Sequence, residues 1–288
     1  MKRNETLPIK DHYGQNVLKM YESVPDPNRS LFTEHHHTEI EICYVQSGEG
    51  VFLVDDTRYN IEPGKLFVFF SNQPHWIERI DGAKPPCFLD LKFEPRMVWS
   101  PGMNFFDDSF LRQLLSEGCQ NCFEAEDEAV SIIRANMEEM FAECQKTAPG
   151  AEIIIKANLY KILVTLLRSR EEEIRPTTTY RNIQNLENMD KVIQYINTNI
   201  SKKLSLEELA DISCFSRTYF SVLFKELNGI SPWDYINIKR VELAKSMLRE
   251  SNETVLYISS ECGFSNLSNF NRIFKKITGT TPTEFRKS

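Results

Sequence analysis

The sequence predicts a two-domain α+β protein: a β-rich N-terminal domain ending in a helical hairpin, then an all-α C-terminal domain with two helix-turn-helix motifs. Three observations carry this. Up to about residue 125, short runs of β-branched and aromatic residues alternate with turn signals. Beyond it, apolar residues recur at helical spacing, and within the last hundred residues one unit occurs twice. With 288 residues, 41% hydrophobic and 26% charged, the chain has ordinary globular composition and room for two domains, which excludes disorder throughout. No run approaches the roughly 18 apolar residues of a membrane span, and Met1 to Gly14 lacks a signal-peptide core, so the expected setting is the cytoplasm, with no membrane partner. The 7 cysteines are odd in number and scattered, which fits free thiols.

In the first domain, residues 1–125, Ile40-Glu41-Ile42-Cys43-Tyr44-Val45, Gly50-Val51-Phe52-Leu53-Val54 and Leu66-Phe67-Val68-Phe69-Phe70 read as strands. Ser47-Gly48, Asp55-Asp56 and Pro63-Gly64 are their turns. Over residues 126–170, Ile133, Met137, Met140, Phe141 and Cys144, then Ile155, Leu159, Ile162, Leu163, Leu166 and Leu167, mark two helices split by Pro149-Gly150. Residues 171–188, with Glu171-Glu172-Glu173, Pro176 and Thr177-Thr178-Thr179, read as a linker to the domain at 189–288. Charge divides at the same seam. Residues 1–188 hold 20 basic against 30 acidic side chains, and the remainder 14 against 11, so a total of −7 conceals −10 and +3.

In the repeat, Phe220, Phe224, Lys225, Gly229, Ser231, Pro232 and Tyr235 are echoed by Phe270, Phe274, Lys275, Gly279, Thr281, Pro282 and Phe285. Ser205, with Glu208 three residues on, caps a short helix, a turn follows, and Ser216 caps a second helix that Asn228-Gly229 stops. These are helix-turn-helix units over 205–228 and 254–278. Each second helix has an apolar face, while Thr218, Ser221, Val222 and Lys225, or Ser268, Asn271, Arg272 and Lys275, point outward. Small hydrogen-bonding side chains with one arginine suit base edges better than a merely solvated face. Pro232 to Leu248, with Trp233, Ile236, Val241, Ala244, Met247 and Leu248 apolar, reads as one long helix spacing the units.

Residues 189–288 resemble the DNA-binding domain of the AraC/XylS family of bacterial transcription regulators. The similarity runs through Ile258-Ser259-Ser260-Glu261-Cys262-Gly263-Phe264-Ser265-Asn266-Leu267-Ser268-Asn269-Phe270-Asn271-Arg272-Ile273-Phe274-Lys275-Lys276, with Gly279, Thr281-Pro282 and Phe285-Arg286. Cys262 stands where the family more often has alanine or another small residue. The resemblance implies double-stranded DNA as partner, with Thr218, Ser221, Val222, Leu267, Ser268, Asn271 and Arg272 reading bases. Arg217, Lys225, Lys275 and Lys276 would bind phosphate. It also implies a homodimer through the 126–170 helices, RNA polymerase as a further partner, and no cofactor.

In the first domain, His35-His36-His37-Thr38-Glu39-Ile40-Glu41 followed by Gly48 resembles the first motif of the cupin β-barrels. Pro63-Gly64 and His75 match part of the second, with Asn72 in place of a glycine. A cupin-like β-barrel is therefore expected, and three roles for the cluster stay open: a small-effector pocket, a divalent metal site, or side chains capping the barrel mouth in solvent. For a sugar-like effector the expected contacts are His35, His37, Glu41, Tyr44, His75 and Trp76, combining hydroxyl partners with aromatic faces. The rival class is a cupin metalloenzyme, an isomerase or dioxygenase, with an accessory DNA-binding domain. Cys119-x2-Cys122 lacks a second ligand pair, which favours plain thiols over zinc.

Overall fold

A computed structural model describes residues 3–5, 9–10, 16–25, 37–82, 84–99, 120–146, 148–169 and 183–287. The strands are β1 (Arg3–Glu5), β2 (Ile9–Lys10), β3 (Asn16–Ser23), β4 (Ile40–Ser47), β5 (Glu49–Val54), β6 (Thr57–Ile61), β7 (Leu66–Phe69), β8 (His75–Asp81), β9 (Cys87–Phe93) and β10 (Cys122–Phe123). A larger sheet runs β1-β3-β9-β4-β7-β10, with β2 also on β3, and a smaller one runs β6-β5-β8. Among the described residues no ladder joins them, so the expected cupin-like barrel takes the form of two packed sheets rather than a closed ring.

The near-continuous apolar runs of β4, β7 and β9 reflect burial on both faces, with side chains alternating between two cores. Cys43, Val45, Phe67, Phe69 and Phe88 point between the sheets and meet Phe52, Val54, Ile61 and Ile77. Phe52 packs edge-on to Phe67 and Phe69 at 4.9 and 5.3 Å between ring centres. Ile40, Ile42, Tyr44, Leu66, Val68, Leu89 and Leu91 point the other way, against Ile133, Met137, Leu159 and Leu163 of a helical hairpin. After the one-turn α1 (Arg96–Trp99), that hairpin is α2 (Glu128–Lys146) and α3 (Ala151–Arg168). Asn72 has φ 62°, which explains how it replaces a glycine: asparagine is among the few side chains at ease in the left-handed region. Its amide donates to the His37 carbonyl at 2.8 Å.

The C-terminal helices are α4 (Ile183–Thr198), α5 (Leu206–Ile212), α6 (Arg217–Asn228), α7 (Pro232–Glu250), α8 (Val255–Glu261), α9 (Leu267–Thr278) and α10 (Pro282–Lys287). The expected linker is shortened, because α4 begins at Ile183, inside 171–188. Residues 170–182 lie outside the described residues. Ser205, Ser216, Thr254 and Asn266 each accept the amide three residues on, so all four short helices of the two units start on a side-chain cap. The two cores match ring for ring: Phe220–Phe224–Tyr235 and Phe270–Phe274–Phe285 meet edge-on or tilted, with ring centres 5.5 to 5.7 Å apart. Trp233, expected on the apolar face of α7, is 39% exposed, whereas Ile236, Val241 and Ala244 are buried.

The domains share a buried ionic seam. Glu94 accepts from Arg96 Nε at 2.8 Å and from Lys239 Nζ of α7 at 2.7 Å, and Arg96 lies 3.8 Å from Asp190 of α4.

The repeat differs at one backbone position. The turn amides of Cys214 and Phe215 donate to Asp211 and Ala210, and those of Gly263 and Phe264 to Ser260 and Ser259, so Cys214 and Gly263 correspond. Both are left-handed, at φ 57° and 80°. Glycine adopts that conformation freely; a cysteine does so under strain. Replacing exposed Cys214→Gly is expected to raise stability by about 1 kcal/mol in urea unfolding. Gly263→Ala should lower it by more, because its Cβ would lie 2.7 Å from the Ile200 carbonyl oxygen. Equal effects at both positions would contradict this account.

Candidate functional site

Period-two alternation turns Lys19 and Tyr21 of β3, Glu41 and Cys43 of β4, and Asp90 and Lys92 of β9 to one face of the larger sheet. Register makes rows of them: Lys19 and Glu41 flank Lys92, and Tyr21 and Cys43 flank Asp90. This face lines a cavity of about 820 Å³, with Trp76, Phe52 and Phe69 at its sides. Its roof comes from the other domain: Glu242, Lys245 and Arg249 of α7, and Phe285 and Arg286 of α10.

At the cavity floor Glu41 Oε2 lies 2.7 Å from Lys92 Nζ, 2.9 Å from His37 Nε2 and 3.2 Å from His75 Nε2. The ring Nδ1 atoms of His37 and His75 donate to the carbonyls of Glu39 and Gln73, each at 2.9 Å. Burial, then the Lys92 charge, lower His37 to about 4, so its ring is neutral at pH 7. Its Nε2 therefore accepts from Lys92, 3.2 Å away. Burial alone would raise Glu41, but the Lys92 charge and the contacts from His37 and His75 together outweigh it and hold the carboxyl well below the usual range. Glu39 pairs with Lys19 through Oε1 at 3.1 Å, while its buried Oε2 has no hydrogen-bond partner among the described residues. Two imidazoles and a carboxylate, each ring braced by a carbonyl, are a donor set suited to zinc or iron. The Lys92 ammonium, however, lies 2.7 Å from Glu41 Oε2 and 3.2 Å from His37 Nε2, so it already engages two of these three donors.

Of the expected effector contacts, His37, Glu41, His75 and Trp76 line the cavity. Tyr44 does not: it has the opposite parity to Glu41 and packs on the helical hairpin, its ring 5.4 Å from the Arg134 guanidinium carbon. His35 and Cys119 lie outside the described residues. The partner thiol, Cys122, is buried and free. Glu39, which shares the parity of His37 and Glu41, joins them, whereas Lys19, Asp90 and Lys92 were not anticipated. Strand parity offered the signal for Glu39, but β9 carries no motif, and only pairing with β4 brings Asp90 and Lys92 here.

On the expected DNA face, Thr218, Val222, Ser268, Asn271 and Arg272 are exposed, and Ser221 and Leu267 half-buried. Arg272 Nη2 donates to Asn269 Oδ1 at 2.9 Å, which steadies the guanidinium at the helix surface. Lys225, Lys275 and Lys276 are exposed, and Arg217 is exposed but paired with Glu207 at 2.7 Å.

Burial, then the Glu41 charge, raise Asp90 from 3.8 to about 7, despite its hydrogen bond from Ser23 and the Lys92 charge. The folded state therefore holds a proton that the unfolded chain releases near pH 4, so this stabilisation is complete at low pH and is lost as pH rises through about 7. Asp90→Asn, which keeps the shape of the neutral acid, is expected to be more stable than the parent at pH 8 and close to it at pH 4. Urea unfolding at the two pH values checks this, and a difference independent of pH would contradict it.

Comparison with known proteins gives a consistent picture. Residues 25–163 match the AraC-like ligand binding domain and residues 209–288 a helix-turn-helix domain. LumQ of Photobacterium leiognathi, described as a transcriptional regulator, is 33% identical over 254 residues, covering 88% of this chain and 92% of the relative. The HTH-type transcriptional activator RhaS of Escherichia fergusonii is 23% identical over 260 residues, covering 90% and 89%. The crystal structure of ToxT from Vibrio cholerae, bound to an unsaturated fatty acid, has the same two-domain fold, with a TM-score of 0.56 over 94% of each chain at 11% identity.

Proposed function

The chain belongs to the AraC family of DNA-binding transcription regulators with a separate ligand-binding domain, and on that premise we propose that it is an activator controlled by a sugar-like effector held in the cavity. The relatives are regulators and not enzymes, which removes the metalloenzyme reading. One observation carries the proposal: the cavity is walled by both domains, so a ligand filling it touches the DNA-binding domain directly. Such a ligand stabilises the arrangement in which it makes both sets of contacts and shifts the population toward it. Activation is proposed from the relatives named as activators.

A hydroxyl-rich ligand suits the chemistry. Glu39 Oε2 has no hydrogen-bond donor among the described residues, His37, Glu41, His75 and Lys92 supply polar partners, and Trp76 offers an aromatic face. A second reading is a sugar acid, favoured by Lys245 and Arg249, whose contact in the roof is the Phe285 ring, at 5.8 and 4.9 Å. On DNA, Thr218, Ser221 and Val222 of α6 and Leu267, Ser268, Asn271 and Arg272 of α9 read bases in successive major grooves about 34 Å apart, and Arg217, Lys225, Lys275 and Lys276 hold backbone phosphates. The protein acts as a homodimer in the cytoplasm, with RNA polymerase as its downstream partner. Ile132 and Ile153, exposed on α2 and α3, supply the dimer contact. No helix of the described residues is long and apolar enough to cross a membrane.

Arg272→Ala is expected to weaken binding to a DNA site selected from random sequence by about 1 to 3 kcal/mol, while binding to unrelated DNA stays within about twofold. Titration of both DNAs at one salt concentration measures this, and equal loss on the two would count against base reading. For the effector, neutral hexoses and pentoses and the hexuronates should be compared by thermal unfolding. A true ligand at 100 times its Kd stabilises the parent by about 2.7 kcal/mol. That gain should vanish in His37→Ala, and its persistence there would remove the ligand from this cavity.

A further inference from the structure

Three atoms of metal-ligand type, His37 Nε2, Glu41 Oε2 and His75 Nε2, lie within 4.8 Å of one another under the cavity. Backbone carbonyls hold the outer nitrogen of each ring, which turns Nε2 of both toward Glu41. Glu41 Oε2 and His37 Nε2, 2.9 Å apart, both lie within reach of one positive group. The Lys92 ammonium is that group, 2.7 Å from Glu41 Oε2 and 3.2 Å from His37 Nε2. Its place is imposed by the fold: β9 sets Lys92 directly opposite Glu41, and the side chain is only 11% exposed.

We propose that Lys92 replaces a divalent metal in this cluster, so that the protein carries a permanent built-in cation and His37, Glu41 and His75 become a metal site only when Lys92 is removed. A dication and an ammonium repel strongly at such separations in a partly desolvated site, and they compete for the same lone pairs. The exchange changes what the cavity offers a ligand. A metal is a Lewis acid that takes oxygen into its coordination sphere, whereas Lys92 gives two N–H groups to Glu41 and His37 and keeps a third with no partner among the described residues. The floor is therefore a hydrogen-bond donor to a ligand oxygen and works without divalent ions.

The test uses the full chain with Co(II), read by its visible absorption, and Zn(II), read by calorimetry. The parent is expected to show no site that depends on His75. Lys92→Ala is expected to bind one equivalent about 100-fold more tightly than the parent, and to lose this gain when His75→Ala is added. If Lys92→Ala does not fold, Lys92→Gln, which fills the space without the charge, is measured instead. One equivalent bound by the parent and lost in His75→Ala would overturn the proposal. So would a folded Lys92 variant that gains no affinity for either ion.

Discussion

A buried carboxylate, Glu94, at the end of β9 holds the two halves of the molecule in register. It takes Lys239 from the long helix α7 on one oxygen and Arg96 on the other, and Arg96 reaches toward Asp190 of α4. Charges this deeply buried stabilise only while each is paired, because one left alone keeps the cost of its lost hydration. The seam thus favours one docking of the C-terminal domain on the sheets. That docking lays α7 and α10 over the inner sheet face and turns an open concavity into a cavity with a roof. Any ligand there meets both domains because of where Glu94 sits.

The same strand carries the next constraint. Between Phe88 and Phe93, β9 sends Asp90 and Lys92 into the cavity and Leu89 and Leu91 into the core under the helical hairpin. A slip of one residue would exchange these sets, placing charges in the apolar core. Register is therefore specified strongly, and the polar floor is held by the packing behind it. The charges in turn perturb one another: Glu41 is held ionised by Lys92 together with its contacts to His37 and His75, and its charge adds to burial in raising Asp90. Such a floor is preorganised for polar ligand groups at a cost in stability that the two aromatic and aliphatic cores offset.

Much of this was legible in the residues. Turn signals and β-branched runs located the strands, and the serine caps of the first helix-turn-helix unit with the repeated phenylalanines of the second located both, because these features act within a few positions of chain. His37, Glu41 and His75 were found from spacing and parity. Tyr44, expected beside them, lies on the opposite face, as its odd offset from Glu41 implies. Lys92 and Asp90 were missed for a different reason: a lysine and an aspartate inside an apolar strand carry no local sign of what stands opposite. The roof residues Lys245, Arg249 and Arg286 gave no hint either, since on an isolated helix they read as solvated charge.

The sequence by itself determined the two-domain order, the duplicated DNA-reading unit, the family and the histidine-carboxylate cluster, all of which rest on local periodicity and short-range capping. Only the tertiary structure decided that no ladder joins the two sheets among the described residues, that a lysine joins the histidine-carboxylate cluster, and that the DNA-binding domain closes the cavity. Those outcomes depend on strand register and on pairing between charges such as Glu94 and Lys239, 145 residues apart. Contacts at that separation are set by burial and electrostatics in the folded chain, which no stretch of neighbouring residues encodes.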